Sequence, residues 1–112
     1  MIGGNVMAEL QVKSGAKNEI GEKVLTWTTV QSLFGFLDLS SGESKYSTYD
    51  TKIQESTHIF ICDYLAIDKR ITNENSRMLI SGKTYDVMLI DNPMELNKHL
   101  EIYLKFTGGQ HG

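Results

Sequence analysis

The chain has 112 residues, 40% apolar and 22% charged, a size and balance that predict one globular domain with one continuous core. Eleven basic residues against fourteen acidic give a net charge of −3, which offers no general attraction for nucleic acid or anionic lipid. A single cysteine, Cys62, excludes an internal disulfide and a multi-cysteine metal site, and no apolar run approaches the ~20 residues of a transmembrane helix.

Residues 1–7 carry neither a positive cluster nor an apolar core, so they do not read as a secretory signal; a flexible start and residence in a cytosol are expected. Leu10 and Val12 alternate with Glu9, Gln11 and Lys13, the period of a half-exposed first strand, placed here at a sheet edge. Residues 14–22 are rich in turn formers and charge and read as a mobile connecting loop. A strand resumes at residues 24–27 and the chain stays extended to Leu39, with Val30 and Phe36 assigned to the core and Gly35 to a bulge or bend.

Residues 40–55 break this pattern, being polar, rich in Ser and Thr, free of proline and provided with two tyrosines. A loop of that length is uncommon inside a small domain and tends to carry function. Residues 41–55 are therefore expected to be a long mobile loop, with Gly42, Glu43, Lys45, Tyr46, Thr48, Tyr49, Asp50, Thr51, Lys52, Ile53 and Gln54 as candidate interaction residues. The structural alternative is a short helix over residues 43–49, capped by Ser40 or Ser41, with Tyr46 covering the core.

A strand over residues 57–64 follows, with His58, Phe60, Cys62 and Tyr64 on one face, Ile59 and Ile61 on the other, and both faces largely covered. Cys62 reads as a buried, inert thiol. Ile67 and Ile71 flank a charged link, Asp68-Lys69-Arg70, and Asn73-Glu74-Asn75-Ser76 turns into the clearest element of the chain. That element, residues 77–90, holds two apolar runs around Ser81-Gly82-Lys83 and predicts a β-hairpin in which Gly82 takes a positive φ. Asp91-Asn92-Pro93 ends its second arm, residues 94–98 suit one helical turn, residues 100–106 form a last strand, and residues 107–112 form a flexible tail. Tyr85, Val87, Leu89, Phe60, Ile102 and Leu104 are the expected core. Six or seven short strands with almost no helical periodicity describe an all-β, mainly antiparallel fold: a small closed or nearly closed β-barrel with one long loop and at most one or two short helical turns.

His58, His99 and His111 lack metal-site spacing, and no phosphate loop, Gly-x-Ser-x-Gly or recognisable carboxylate pair is present; Glu74 and Asp91 read as turn residues. Catalytic, cofactor-binding and metal-binding residues are accordingly assigned to none, no cofactor is expected, and an enzyme is the least supported class. A second class is a monomeric β-barrel that binds single-stranded nucleic acid, with Tyr46, Tyr49 and Phe60 as stacking groups. Charge weighs against it, since Lys45 and Lys52 are offset by Glu43, Asp50 and Glu55.

The order of several short pieces carries a further indication. Leu37-x-Leu39-Ser40-Ser41-Gly42-Glu43 leads into the long loop, and Thr57-His58 opens a strand ending at Tyr64. Ile67 follows in a polar link, then Arg77 to Ile80, Gly82-Lys83-x-Tyr85, a strand ending at Asp91, Pro93-x-Glu95-x-Asn97 and Leu100-Glu101-Ile102. From about Trp27 to Lys105 this series resembles the head-tail joining proteins (head-closure, stopper or adaptor) of tailed bacteriophages. One departure is that Ile59 and Ile61 are apolar where that family alternates with polar groups, which suits a face covered by a partner or by the loop. The resemblance implies a structural virion protein, not an enzyme, at the head-tail interface, made in the bacterial host cytoplasm. It would dock beneath the portal or adaptor after DNA packaging, close the channel with the loop and offer a platform for the tail. Its partners would be portal, adaptor and tail proteins and further copies of itself, in a ring of about twelve that is a monomer or weak oligomer when isolated. DNA would be met only inside the channel and no membrane is involved; a like-charged acidic wall lets DNA pass without sticking.

Overall fold

A computed structural model of the chain describes residues 4, 6–17, 19–39, 56–72 and 75–108. Six strands, β1 (Val6–Lys17), β2 (Lys23–Leu39), β3 (His58–Asp63), β4 (Ser76–Ile80), β5 (Lys83–Asp91) and β6 (His99–Gly108), close into a barrel in the order β1-β2-β3-β6-β5-β4. Every neighbouring pair is antiparallel. The expected all-β barrel is therefore what forms, with a single 3-10 turn at Pro93–Glu95 among the described residues. β1 is not an edge. Its Ala8 to Val12 portion pairs with β4 on the side away from β2, from Ala8↔Ile80 to Val12↔Ser76, and this seam closes the sheet.

The predicted hairpin is β4–β5, joined by Ser81 and Gly82 at φ 52 and 79. Two central residues at positive φ give a turn whose twist matches that of the flanking strands. Inward side chains from all six strands fill the barrel: Ala8 and Leu10, Leu33, Phe60 and Cys62, Met78 and Ile80, Tyr85 and Val87, and Leu100, Ile102 and Leu104. Burial, with a smaller contribution from Asp63, pushes the Cys62 thiol up to about 11, so the inert reading of this cysteine holds.

Two bulges decide which residues reach this interior. Leu10 pairs with Gln31 but Gln11 pairs with Thr29, so Val30 is left over in the ladder. The extra residue reverses the alternation of β2: Leu33 points inward, while Phe34 and Phe36 are 56% and 42% exposed. The core assignment of Phe36 is thus corrected, Val30 is half-buried at the bulge, and the bulge lies at Val30 rather than at Gly35. Gly35 has another task. A β-carbon there would collide with the Ile61 carbonyl oxygen and stand 3.0 Å from Phe60 Cζ, so glycine gives the largest core side chain its room. On β5, Val87 pairs with Leu104 and Leu89 with Tyr103, leaving Met88 over. Leu89 is consequently half-buried and Ile90 packs on the core in its place, which corrects the second core assignment.

The link from β3 to β4 stoppers one end of the barrel. Leu65, Ile67 and Ile71 pack against the core, and Gln31 holds the link as a neighbouring strand would: its Nε2 donates to Ala66 O at 2.9 Å and its Oε1 accepts from Asp68 N at 2.8 Å. Arg70 braces it further with Nε and Nη2 on the two oxygens of Asp68, hydrogen bonds that hold this carboxyl at about 2. Tyr64, expected on the covered face, lies past the end of β3 and is exposed. At the same end the β5–β6 connection is tied by Asn92 Nδ2 to Asn97 Oδ1 at 2.7 Å, with Met94, Glu95 and Asn97 at positive φ.

Residues 14–17, expected in a loop, continue β1, and β2 begins at Lys23. Because β1 meets β4 only as far as Val12 and β2 meets β3 only from Phe36, residues 13–17 and 23–27 run beyond the barrel as a two-stranded arm. The molecule measures 50 × 29 × 26 Å accordingly. At the other extreme β6 continues through Thr107 to Gly108, past the expected end of the strand.

Leu104→Ala is expected to cost ~2–5 kcal/mol by leaving a cavity in the barrel, whereas Leu89→Ala should cost about 1 kcal/mol or less. Gly35→Ala should cost ~1–3 kcal/mol through overpacking against Phe60 and Ile61. Urea midpoints report all three, and equal midpoints for Leu104→Ala and Leu89→Ala would contradict the inward and outward assignments.

Candidate functional site

The candidate interaction residues from Gly42 to Gln54, and the helix alternative over residues 43–49, lie outside the described residues. The structure places the two roots of that segment. Leu39 ends β2 opposite His58, and His58 pairs in turn with Leu104. Both roots thus stand at one end of the barrel, beside the start of β1, the close of β6 and the Ser81-Gly82 turn. This end is the mouth, and the arm and the stoppered link lie at the other.

The mouth is aromatic. The rings of His58 and Tyr85 meet edge-on with centroids 5.0 Å apart, and Phe106 stands 5.4 Å from Tyr85 and 6.4 Å from His58. Thr57, at the returning root, ties this group to β6: its N–H donates to Leu104 O at 2.8 Å, and its Oγ1 accepts from Phe106 N at 2.7 Å. The same hydroxyl lies 2.8 Å from His58 Nδ1, within hydrogen-bond range, against 3.5 Å to Leu104 O. A neutral imidazole satisfies this contact in either tautomer: Nδ1 accepts from the hydroxyl, or donates to it while the hydroxyl donates to Leu104 O. Burial, and next the Lys83 ammonium, lower the His58 pKa below its ordinary 6.5 and so favour the neutral ring.

One outer wall of the barrel joins apolar groups to acids. Reading the register across the sheet, Phe36 aligns with Ile61, Glu101 and Asp91, and Asp38 with Ile59, Tyr103 and Leu89. Met7 pairs with Phe34 and Glu9 with Ser32 on the same wall. The Glu101 carboxylate accepts from Tyr103 OH at 3.1 Å and lies 3.1 Å from His99 Nε2. Burial and the neighbouring Glu101 push the Tyr103 hydroxyl up to about 12, and burial, then Glu101, raises the Asp91 carboxyl. Ile59 and Ile61 are half-buried on this wall. Among the described residues no three His, Cys, Asp or Glu side chains gather as a metal site.

Phe60, named as a base-stacking group in the nucleic-acid alternative, is 0% exposed and fills the barrel. It offers no π-face to a ligand, and that assignment is corrected. Sequence periodicity missed a cation–π group at the root of the arm, where the Trp27 ring lies 4.2 Å from the Arg77 guanidinium and 5.8 Å from Lys13 Nζ. Arg77 Nε donates to Gln11 Oε1 at 2.7 Å, Gln11 Nε2 to Thr29 Oγ1 at 3.1 Å, and Thr29 Oγ1 to Glu9 Oε1 at 2.9 Å. This chain of bonds ties β4, β1 and β2 together across the seam. Its separation in sequence hid it, since Gln11 and Arg77 lie 66 positions apart.

No protein-family model matches the chain, and no curated protein does. Its fold is similar to that of a solved chain described as "Virion of native gene transfer agent (GTA) particle", at a TM-score of 0.56 and 12% identity. The correspondence covers 89% of this chain and 91% of that one.

The mouth should be acid-sensitive. Since the folded pKa of His58 lies below its unfolded value, the unfolded chain binds the extra proton, so the stability His58 contributes is present above pH ~6.5 and is lost as pH falls through the folded pKa. His58→Gln should flatten this limb of a stability profile, and NMR titration should find the imidazole pKa below 6.5. A pKa above that value would contradict the neutral ring.

Proposed function

We propose that this protein is a structural component of a phage-like virion that docks beneath the portal or adaptor of the head-to-tail connector. There it closes the DNA channel once packaging is complete and offers the tail its platform. The observation that carries this reading is the fold it shares, over nearly the full length of both chains, with a chain of a gene transfer agent virion. The order of short motifs from Trp27 to Lys105 supports it.

Physical features agree with the role. A closed barrel with both ends differently dressed is a rigid spacer able to hold one partner at its mouth and another at its arm. The −3 charge, multiplied around a ring of about twelve copies, gives DNA a repelling wall. Residues 41–55, the gating element in this reading, leave from the mouth, where Thr57 and His58 anchor the returning root to β6. Assembly on a portal template, with a monomer or weak oligomer in isolation, keeps such a ring from closing away from the head.

Replacing residues 42–54 by a short Gly-Ser link should shift the urea midpoint little, because closure entropy changes slowly with loop length. Binding to purified portal rings should survive while filled heads lose their DNA. Heads that bind the shortened protein and retain DNA as well as wild type would remove the gating role, and failure of the wild-type protein to bind portal rings would remove the connector reading itself.

A further inference from the structure

The arm leaves one margin of β2 unpaired. β2 meets β1 from Lys23 to Gly35, but on its other side it meets β3 only from Phe36 to Leu39. The link covers Gln31 there through the amide bonds of that side chain, and from Val24 to Thr29 no described residue takes a backbone bond on that side. Val24, Leu25, Thr26, Thr28 and Thr29 are exposed, and Trp27 is half-buried.

The register fixes which groups face outward. Lys13 N–H donates to Asn75 O at 2.9 Å, away from β2, so Lys13↔Trp27 is a pair without mutual hydrogen bonds and Trp27 directs its own N–H and C=O away from β1. Leu25 does the same by alternation. Thr29 keeps this sense because its partner Gln11 bonds towards Arg77 on β4, as Lys13 does towards Asn75. Leu25, Trp27 and Thr29 thus present a row of donors and acceptors at intervals of ~6.6 Å.

The undescribed residues do not reach this row. Residues 40–55 leave from Leu39 and return at Ser56, so each lies within about eight residues of a root, ~29 Å when fully extended; Trp27 stands ~40 Å from Leu39 along β2. The residues before Val6 and after Gly108 start from the mouth, and residues 73 and 74 adjoin Asn75 on the far side of β1. A free margin is ordinarily guarded by a charge, a proline or a bulge. Residues 24–29 contain none of these, and the bulge at Val30 only bounds them. An open row of backbone donors and acceptors is matched by an extended polypeptide.

We propose that the margin of β2 from Leu25 to Thr29 receives an extended segment of another protein as an added strand, with an acidic side chain of that segment beside Lys13 on the Trp27 face. Lys13 Nζ and the Arg77 guanidinium both lie at the Trp27 ring. Arg77 has Asp86 as its cross-strand partner, whereas among the described residues Lys13 makes no ion pair. A second copy suits the margin less well, since antiparallel pairing of two such margins about Trp27 brings two Lys13 and two Arg77 to one face. Strand addition at the arm goes beyond the connector reading and does not depend on it.

Amide exchange of the full-length protein, followed by NMR, tests this residue by residue. The probe is a capped peptide of about eight residues, alternating valine and threonine with a central glutamate. Without peptide, the amides of Leu25, Trp27 and Thr29 should exchange at least about tenfold faster than those of Thr26 and Thr28, which face β1. Saturating peptide should slow the first set by at least about fivefold and leave the second unchanged. Lysine in place of the glutamate should weaken binding at least about threefold at low salt, with the gap narrowing at high salt. Leu25→Pro removes one outward donor and should prevent the slowing at Trp27; should it shift the urea midpoint, Leu25→Asp, which sets an acid against the acidic peptide, replaces it with the same expectation. Unchanged exchange at all three amides with both peptides, or slowing shared equally by Thr26 and Thr28, would overturn the proposal. So would slowing that rises with protein concentration in the absence of peptide, which marks a second copy as the occupant. Binding of the wild-type protein to portal rings is read separately, and its failure removes the connector role while leaving the strand site standing.

Discussion

The arrangement of this protein depends on a parity constraint. In a strand, side chains alternate, so the interior of a narrow barrel accepts every second residue and one extra residue in a ladder exchanges the two faces. Val30 and Met88 are such residues. The first sends Leu33 inward and releases Phe34 and Phe36 to the wall; the second trades Leu89 for Ile90. The apolar patch outside and the packed core inside are therefore two results of the same irregularities. Phe60, buried over Gly35, is the bulky element around which the inward set is arranged.

Much of the barrel was legible in the sequence because its strands alternate apolar and polar residues and are separated by turn formers. Ser81-Gly82 announced the hairpin, and the alternation of Leu100, Ile102 and Leu104 announced the last strand and its inward face. Errors arose where alternation was interrupted. Periodicity extrapolates through a bulge without detecting it, hence the misplacement of Phe36 and Leu89. Composition misled in residues 14–17, where Ser, Gly and Lys suggested a loop although cross-strand pairing with β2 holds them extended. The candidate loop was chosen by polarity and length alone; of it, the structure places the roots, which gather at a mouth lined by His58, Tyr85 and Phe106.

The two ends of the barrel differ in physical character. At the mouth, neutral aromatic groups and threonine hydroxyls surround the roots of residues 40–55, and a protonated imidazole is disfavoured by both burial and Lys83. At the opposite end, Gln31 replaces a missing strand with its amide and holds the link down, so that β2 can leave the barrel without opening it. A paired, satisfied amide of this kind fixes geometry through direction rather than through bulk. The arm then begins from a rigid base.

The seam between β1 and β4 has a kinetic meaning as well. β4 and β5 are joined by two residues and can pair early, while β1 meets β4 only after the chain between Val12 and Ser76 has been gathered in. Contacts of such separation are slow because closure entropy is spent before they form. Until the seam shuts, the nascent protein is an open curved sheet whose two free margins are β1 and β4, the former carrying Leu10 and Val12 and the latter Met78 and Ile80. Such margins invite pairing with other chains. Closure of the seam thus removes the two margins at which one chain could pair with another.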